Sequence, residues 1–433
     1  MLDIKFIREN LGLVKEGIRK KNVNLDLDSF IILDDKRREL QKVLEKEKAR
    51  LNKISLEISI LRDSEKDERL VESRDIKKGV QKIEEEIKPI LEEWHKILME
   101  IPNPPSSKMP EGKDDSDNIT IKTWGEIPKF NFKPRDHIEI GKLLDIIDIE
   151  KASEISGSRF FYLKNDAVLM QFAIVDLVFK TLTNEAIIEK LIKENNLSLS
   201  SKPFVPMLPP VMIRHDVQKA IHRVFGDQTY RLPEDNLNLV ASAEHTMAPY
   251  HMNEVLKEED LPKRYIGYST SFRRESGTYG KDMGGILRTH QFDKLEMESF
   301  TNAETGEEEQ LLMVAVQEYL VQQLKIPYRL QQVCTGDTGK PDYNQFDIEC
   351  WIPSQNLYRE THTSDYMTDY QTRGINSRYK TRDGKYKFLY TNDATAFAIG
   401  RILIAIIENY QQEDGSIKIP DILTNYIGKN KIV

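Results

Sequence analysis

The sequence predicts an α+β protein in two parts, an antiparallel helical hairpin near the N-terminus and a larger body in which strands and helices mix. Three observations carry this. Charge is concentrated in one segment: from Asp34 to Glu100, 35 of 67 residues are Asp, Glu, Lys or Arg, in a chain that is 31% charged as a whole. Within that segment apolar residues recur in alternating steps of three and four, the signature of a helix pair. Beyond it the run His290 to Glu298 alternates with period two, which is a strand pattern.

The first helix carries its seam at Leu33, Leu40, Leu44, Leu51, Ile54, Ile58 and Leu61, with Arg37 and Glu47 as polar interruptions. The second is more regular, at Ile76, Val80, Ile83, Ile87, Ile90, Trp94, Ile97 and Ile101. The polar stretch Arg62 to Arg69 between them reads as the turn. Pro89 removes one backbone donor inside the second helix, and because the apolar register continues across it a kink is expected rather than a break. Two functions suit such an arm. It can be a solvated coiled coil acting as spacer or dimer strut, or it can hold RNA along the basic ladder Lys42, Lys46, Arg50 and Lys53, which could follow a phosphate backbone.

Pro-Asn-Pro-Pro after Ile101 marks a hinge, so residues 1–105 are expected to form an N-terminal domain and 106–433 the body. At 433 residues the chain is long enough for several domains and a sizeable core. A net charge of −8 excludes a protein that binds nucleic acid by being basic overall and leaves only local basic faces for that purpose. Two cysteines, Cys334 and Cys350, are too few for a disulfide framework or a thiolate zinc site. Met1 to Glu9 mixes charges, and the apolar run Phe397 to Ile407 is short and interrupted by Arg401, so a soluble cytoplasmic protein with no membrane segment is expected.

In the body, Phe272-Arg-Arg-Glu275 read as a strand puts Arg273 and Glu275 on one face. A loop containing Gly277, Gly280, Gly284 and Gly285 follows. The second strand then presents His290, Phe292, Lys294, Glu296 and Glu298 on one side and Leu295 and Met297 on the other. A face that mixes charges with Phe suits a flat ligand such as adenine, with Arg273 and Arg288 on phosphate oxygens; an edge hairpin laced with cross-strand ion pairs gives the same pattern. Further along, Glu360 and Thr363 offer hard oxygen ligands for magnesium. His362 reads as a structural hydrogen-bonding histidine rather than a base. Thr391 to Arg401 opens a helix with Asp393 where an N-cap belongs, and Arg401, set among apolar residues, needs an anion.

In order along the chain, MLDIKFIREN, the helical hairpin, Gly157-Ser-Arg-Phe-Phe-Tyr-Leu163, Pro209-Pro210, FRRESG, GKD, GILRTHQFDKLE, Thr335-Gly-Asp337, YRETHT and Gly400-Arg401 before ENYQQEDG resemble the bacterial-type seryl-tRNA synthetases over essentially the whole length. The resemblance implies a class II synthetase antiparallel sheet flanked by helices, in a homodimer whose interface contains the Pro209 region. It implies ATP-dependent activation of L-serine to seryl-adenylate, then transfer to the 3′ end of tRNA(Ser), with tRNA(Sec) as an open further acceptor. It assigns Arg273 to the α-phosphate, Glu275 to the adenine edge and Phe292 to the adenine face. Glu360 and Thr363 would handle Mg²⁺, Arg401 the terminal phosphate, and Ser242, Glu244, Glu296 and Thr395 would surround serine, with Glu296 on its ammonium group. The catalytic set is then Arg273, Glu360 and Arg401. Two other readings keep the same ancestry: a catalytically inactive tRNA-binding protein, and a ligase that charges a non-tRNA acceptor. The chain departs from the family pattern where Thr-Ala-Glu becomes Ser242-Ala-Glu244, where Asp393 replaces the usual Asn, where Gly374 follows Arg373 in place of a second Arg, and where Gly-Thr-Gly-Gln-Leu-Pro is not recognisable between Ile221 and Leu232.

Overall fold

The computed structural model describes residues 1–223, 226–276 and 284–433, the side chains of residues 63–65 excepted. It divides into two compact units, residues 2–104 and residues 105–433 with Met1. Gly277 and Gly280 of the predicted loop lie outside the described residues.

In the first unit helix α1 spans Leu27–Ile60 and α2 spans Asp63–Glu100. Asp26 caps α1 by accepting from the backbone N–H groups of Asp28 and Ser29. The turn is only Leu61 and Arg62, far shorter than the polar stretch 62–69 expected from the sequence. Lys66, Glu68 and Arg69 are good helix formers, and a polar run without Gly or Pro has no reason to leave the helix. Arg69 and, from the facing helix, Arg50 both reach Glu72, at 2.6 and 2.7 Å. Helix α2 runs on through Pro89. The seam residues Leu44, Ile54, Ile76 and Val80 bury one another, flanked by Leu51, Ile58 and Ile83.

One carboxylate interrupts this apolar seam. Asp34 is fully buried and accepts from Arg8 Nε at 2.7 Å, Arg37 Nη2 at 2.8 Å and Trp94 Nε1 at 2.9 Å. Burial alone would raise its pKa, but the guanidinium groups of Arg37 and Arg8 outweigh it and hold the carboxyl below its ordinary value. Arg37 also lies over the Trp94 ring, 4.6 Å from its centroid.

The second unit is built on an eight-stranded sheet. In chain order its strands are β1 (Ile119–Trp124), β2 (Val205–Met207), β3 (Lys263–Phe272), β4 (Gln291–Thr301), β5 (Tyr328–Gln332), β6 (Asn344–Ile352), β7 (Leu357–Thr368) and β8 (Tyr390–Ala398). They lie side by side as β1-β5-β6-β7-β8-β4-β3-β2, all antiparallel except the β2–β3 pair. Helices α3 (Asn165–Leu182), α4 (Gly306–Gln323) and α5 (Ile399–Asn409) supply Met170, Ile174, Leu312, Val316, Ile402 and Ile406 to the main core, which also takes Leu295, Met297, Ile348, Ala394 and Phe397 from the strands. Period-two alternation leaves the remaining strand side chains on the other face. Asp393, expected at a helix N-cap, sits inside β8, because the strand continues to Ala398 before α5 begins. No described helix is long and apolar enough to cross a membrane.

Register places two rows of side chains across the centre of that other face. One holds Thr395 of β8 opposite Glu296 of β4, with Thr363 of β7 opposite Asp347 of β6. The next holds three acids in line, Asp365 opposite Asp393 and Asp393 opposite Glu298. On the helical side, Gln317 of α4 is fully buried and donates to the carbonyl oxygens of Thr363 and Thr395, at 2.7 and 2.8 Å. Arg264 of β3, also buried, is held bidentately by Glu309 of α4 at 2.8 and 2.6 Å.

Burial, and then the charges of Asp393 and Glu244, raise the Glu298 carboxyl well above its ordinary pKa. The native state therefore keeps a proton that the unfolded chain releases near pH 4, and stability falls as pH rises above that point. Glu298→Gln removes this penalty, so the thermal midpoint should rise by about 2 °C or more at pH 8 and by less at pH 5; equal shifts at the two pH values would contradict the assignment. In the arm, Asp34→Ala leaves the half-buried Arg37 and the buried Trp94 N–H without their shared acceptor, while Arg8 keeps Asp35. It should destabilise that unit by about 1 to 3 kcal/mol, seen as faster amide hydrogen exchange around Phe30 and Trp94.

Candidate active site

An open cavity of about 660 Å³ lies over the first row of side chains, and eight of the residues singled out from the sequence line it: Arg273, Glu275, Arg288, Phe292, Glu360, Thr363, Thr395 and Arg401. They come from four places in the chain: the β3–β4 connection, β4 itself, β7, and the junction of β8 with α5.

Arg273 and Glu275 reach the cavity by a route different from the one expected. Strand β3 ends at Phe272, so strand alternation does not orient them. Arg273 keeps one ladder bond, donating its N–H to the His290 carbonyl at 3.0 Å. Glu275 then takes φ 49°, left-handed backbone that is uncommon outside Gly, and the chain turns. The Glu275 carboxylate pairs with Arg288 at 3.0 Å. The Arg273 guanidinium lies 5.2 Å from the centre of the Phe292 ring, within cation–π range.

Arg401 opens toward the cavity from the first turn of α5 and is held by Glu360, donating to its carboxylate at 2.7 Å and to its carbonyl at 3.0 Å. Burial, and then the nearby charge of Arg401, lower the pKa of Arg273. Two guanidinium groups that repel each other across one cavity form a site for a polyanion. Gly400 and Gly285 allow the approach of the intervening backbone. A Cβ on Gly400 would stand 2.8 Å from the Ile286 carbonyl, and one on Gly285 would stand 2.0 Å from His137 Nε2. The Ile286 N–H reaches His137 Nε2 at 3.3 Å, while His137 Nδ1 meets Glu408 at 3.1 Å.

Ser242, Glu244 and Glu296 do not line the cavity but lie buried beside it. Ser242 donates to Glu296 Oε2 at 3.0 Å, and Lys294, a cavity residue, closes an ion pair with the same carboxylate. Glu296 Oε1 is buried without a hydrogen-bond partner, an acceptor suited to an ammonium group. Glu244 Oε1 accepts from Arg223 and, at 2.8 Å, from Gln371. Thr363 and Thr395 stand with their hydroxyls 3.4 Å apart.

His362 is buried and bonded to Thr361 at 2.8 Å. Burial drops its pKa to about 3, which removes it as a base near neutral pH. Three functional candidates escaped the sequence reading. Lys294 was placed on the right strand face without a role. Asp347 lies in β6, where no motif marks it. Arg223 carries no motif, and no local signal could have found it. Burial, and then the charge of Glu360, raise the Asp347 carboxyl well above its ordinary value. Two repelling carboxylates on adjacent strands, with Thr363 on the Glu360 strand opposite Asp347, make a donor set that fits a hard divalent cation. Among the described residues no cluster of three or more His, Cys, Asp or Glu forms a closed metal cage.

Comparison with known proteins agrees with this geometry. Residues 1–105 match the family model of the seryl-tRNA synthetase N-terminal domain, and residues 229–410 match that of the tRNA synthetase class II core domain (G, H, P, S and T). The chain is 40% identical over 438 residues to a serine--tRNA ligase of Dictyoglomus turgidum, covering 100% of this chain and 99% of that protein. It is 37% identical to that of Treponema denticola, with both chains fully covered. Among solved structures it is similar to the seryl-tRNA synthetase of Pyrococcus horikoshii complexed with ATP, with a TM-score of 0.86 and 34% identity, covering 100% of this chain and 99% of that one. With arm, sheet and sequence similarity extending from end to end, this chain belongs to the seryl-tRNA synthetase family.

Proposed function

We propose that this chain is an ATP-dependent serine--tRNA ligase, and the observation that carries the reading is the convergence of Arg273, Glu275, Phe292, Glu360 and Arg401 on one cavity. A serine carboxylate oxygen attacks the α-phosphorus of ATP, the bond to the β-phosphate oxygen breaks, and pyrophosphate leaves. A ribose hydroxyl at the tRNA 3′ end then attacks the adenylate carbonyl, and AMP leaves.

The chain needs no nucleophile of its own for either step; it needs alignment and relief of charge repulsion. Phe292 offers a face to adenine and Glu275 an acceptor to its amino edge. Arg273 meets the α-phosphate and Arg401 the terminal phosphate. Glu296 receives the ammonium group of serine, with Ser242 and Thr395 as hydrogen-bonding neighbours and Glu244 behind them. Such groups left unpaired by alanine would penalise it, and threonine would be excluded by size. Mg²⁺, when bound, would shield the phosphate charge, with Glu360, Thr363 and Asp347 as the oxygen donors that would hold it. The arm is read as the grip on tRNA(Ser), with tRNA(Sec) a further acceptor, within a homodimer in the cytoplasm.

Serine-dependent ATP/pyrophosphate exchange tests the first step. It should be present in the wild type and fall by about 10²- to 10³-fold in Arg273→Ala. Absence of exchange with every amino acid, alongside retained tRNA binding, would instead mark an inactive tRNA-binding protein. Reversing charge at Lys42, Lys46 and Lys53 should leave exchange intact and reduce tRNA charging at least tenfold, more steeply as salt rises. Unchanged turnover in that variant would favour a non-tRNA acceptor.

A further inference from the structure

Behind the residues assigned to serine lies a buried acidic cluster with one cation set into it. Glu244, Glu298, Asp342, Asp365 and Asp393 are each at most 8% exposed. Both carboxylate oxygens of Glu298 are buried without a hydrogen-bond partner. Arg223 is 6% exposed and enters from a segment packed beside this face. Its Nε donates to Glu244, and its Nη2 lies 3.4 Å from Asp393 and 3.6 Å from Asp342.

The cluster adjoins the amino-acid subsite along two paths. Asp393 and Thr395 share one face of β8, and Glu298 and Glu296 share one face of β4, each pair two residues apart, or about 7 Å. The backbone N–H of Glu244 donates to the Ser242 hydroxyl at 3.3 Å. Lys294 is committed to Glu296. Among the described residues Arg223 is therefore the cation that offsets the acidic row, and without it the floor of the subsite would attract a second positive charge on the substrate.

We infer that Arg223 is a specificity-determining residue, which keeps the side-chain end of the aminoacyl pocket from accepting a cationic side chain in place of a hydroxyl. This rests on the serine-activating reading above. The discriminating probe is L-2,3-diaminopropionate, which carries an amine where serine carries its hydroxyl.

ATP/pyrophosphate exchange is measured with each amino acid for the wild type, Arg223→Gln and Arg223→Lys. The wild type should prefer serine. Arg223→Gln should move the ratio of kcat/KM values at least tenfold toward diaminopropionate, through KM for the amino acid with KM for ATP unchanged, and Arg223→Lys should keep the wild-type preference. If Arg223→Gln does not fold, Asp393→Asn, which removes one acid and keeps the cation, should move the ratio the opposite way, further toward serine. An unmoved ratio, with KM for amino acid and ATP rising together, would reduce Arg223 to a structural ion pair and overturn the inference. Failure of the wild type to exchange with serine would instead overturn the functional reading beneath it.

Discussion

Carboxylates placed side by side in a dry interior repel one another, and the active unit of this protein is organised around containing that repulsion. Asp365, Asp393 and Glu298 face each other across three adjacent strands, with Glu296 and Asp347 one row away. Such a row is tolerable only if protons are retained or cations are inserted. Both occur: burial, and then the charges of neighbouring carboxylates, raise the pKa values of Glu298, Asp365 and Asp393, and Arg223 and Lys294 supply positive charge from either side.

The nucleotide side of the cavity has the opposite imbalance. Arg273, Arg288 and Arg401 line it together with Glu275 and Glu360, and each of those acids is already paired with an arginine. A polyanion entering there relieves strain among the cations, while an ammonium group relieves the unpartnered oxygen of Glu296 at the adjoining end. On the proposed function, this polarity would bring a zwitterionic amino acid carboxylate-first toward a phosphate. That orientation would follow from where the sheet puts its charges.

Rigidity comes from the far side of the sheet. Gln317 ties the backbones of Thr363 and Thr395, and the buried Arg264–Glu309 pair ties β3 to α4. Truncating either partner of that pair would leave an uncompensated buried charge, so the covering helix holds the two central strands and the hairpin in one frame. His137 and Gly400 do the same for the Ile286 backbone at the cavity wall.

Much of this was legible along the chain. Heptad spacing gave both arm helices, because a helix repeats its buried face every three or four residues whatever it packs against. Period two gave β4 and its charged face for the same kind of reason, and the residues carried by the family resemblance include eight of those that line the cavity. Reading failed where the physics is not local. The turn at 62–69 was overextended because polarity does not end a helix, and Asp393 was misplaced because only the neighbouring strands β4 and β7 make its segment a strand. The sequence by itself determined which residues could meet a nucleotide and which faces they would share, since alternation is a property of the backbone. Only the tertiary structure decided which charges neutralise which: Arg223 lies 170 residues from Asp393 in the chain, and no pattern in either segment anticipates a pairing created by the packing of one against the other.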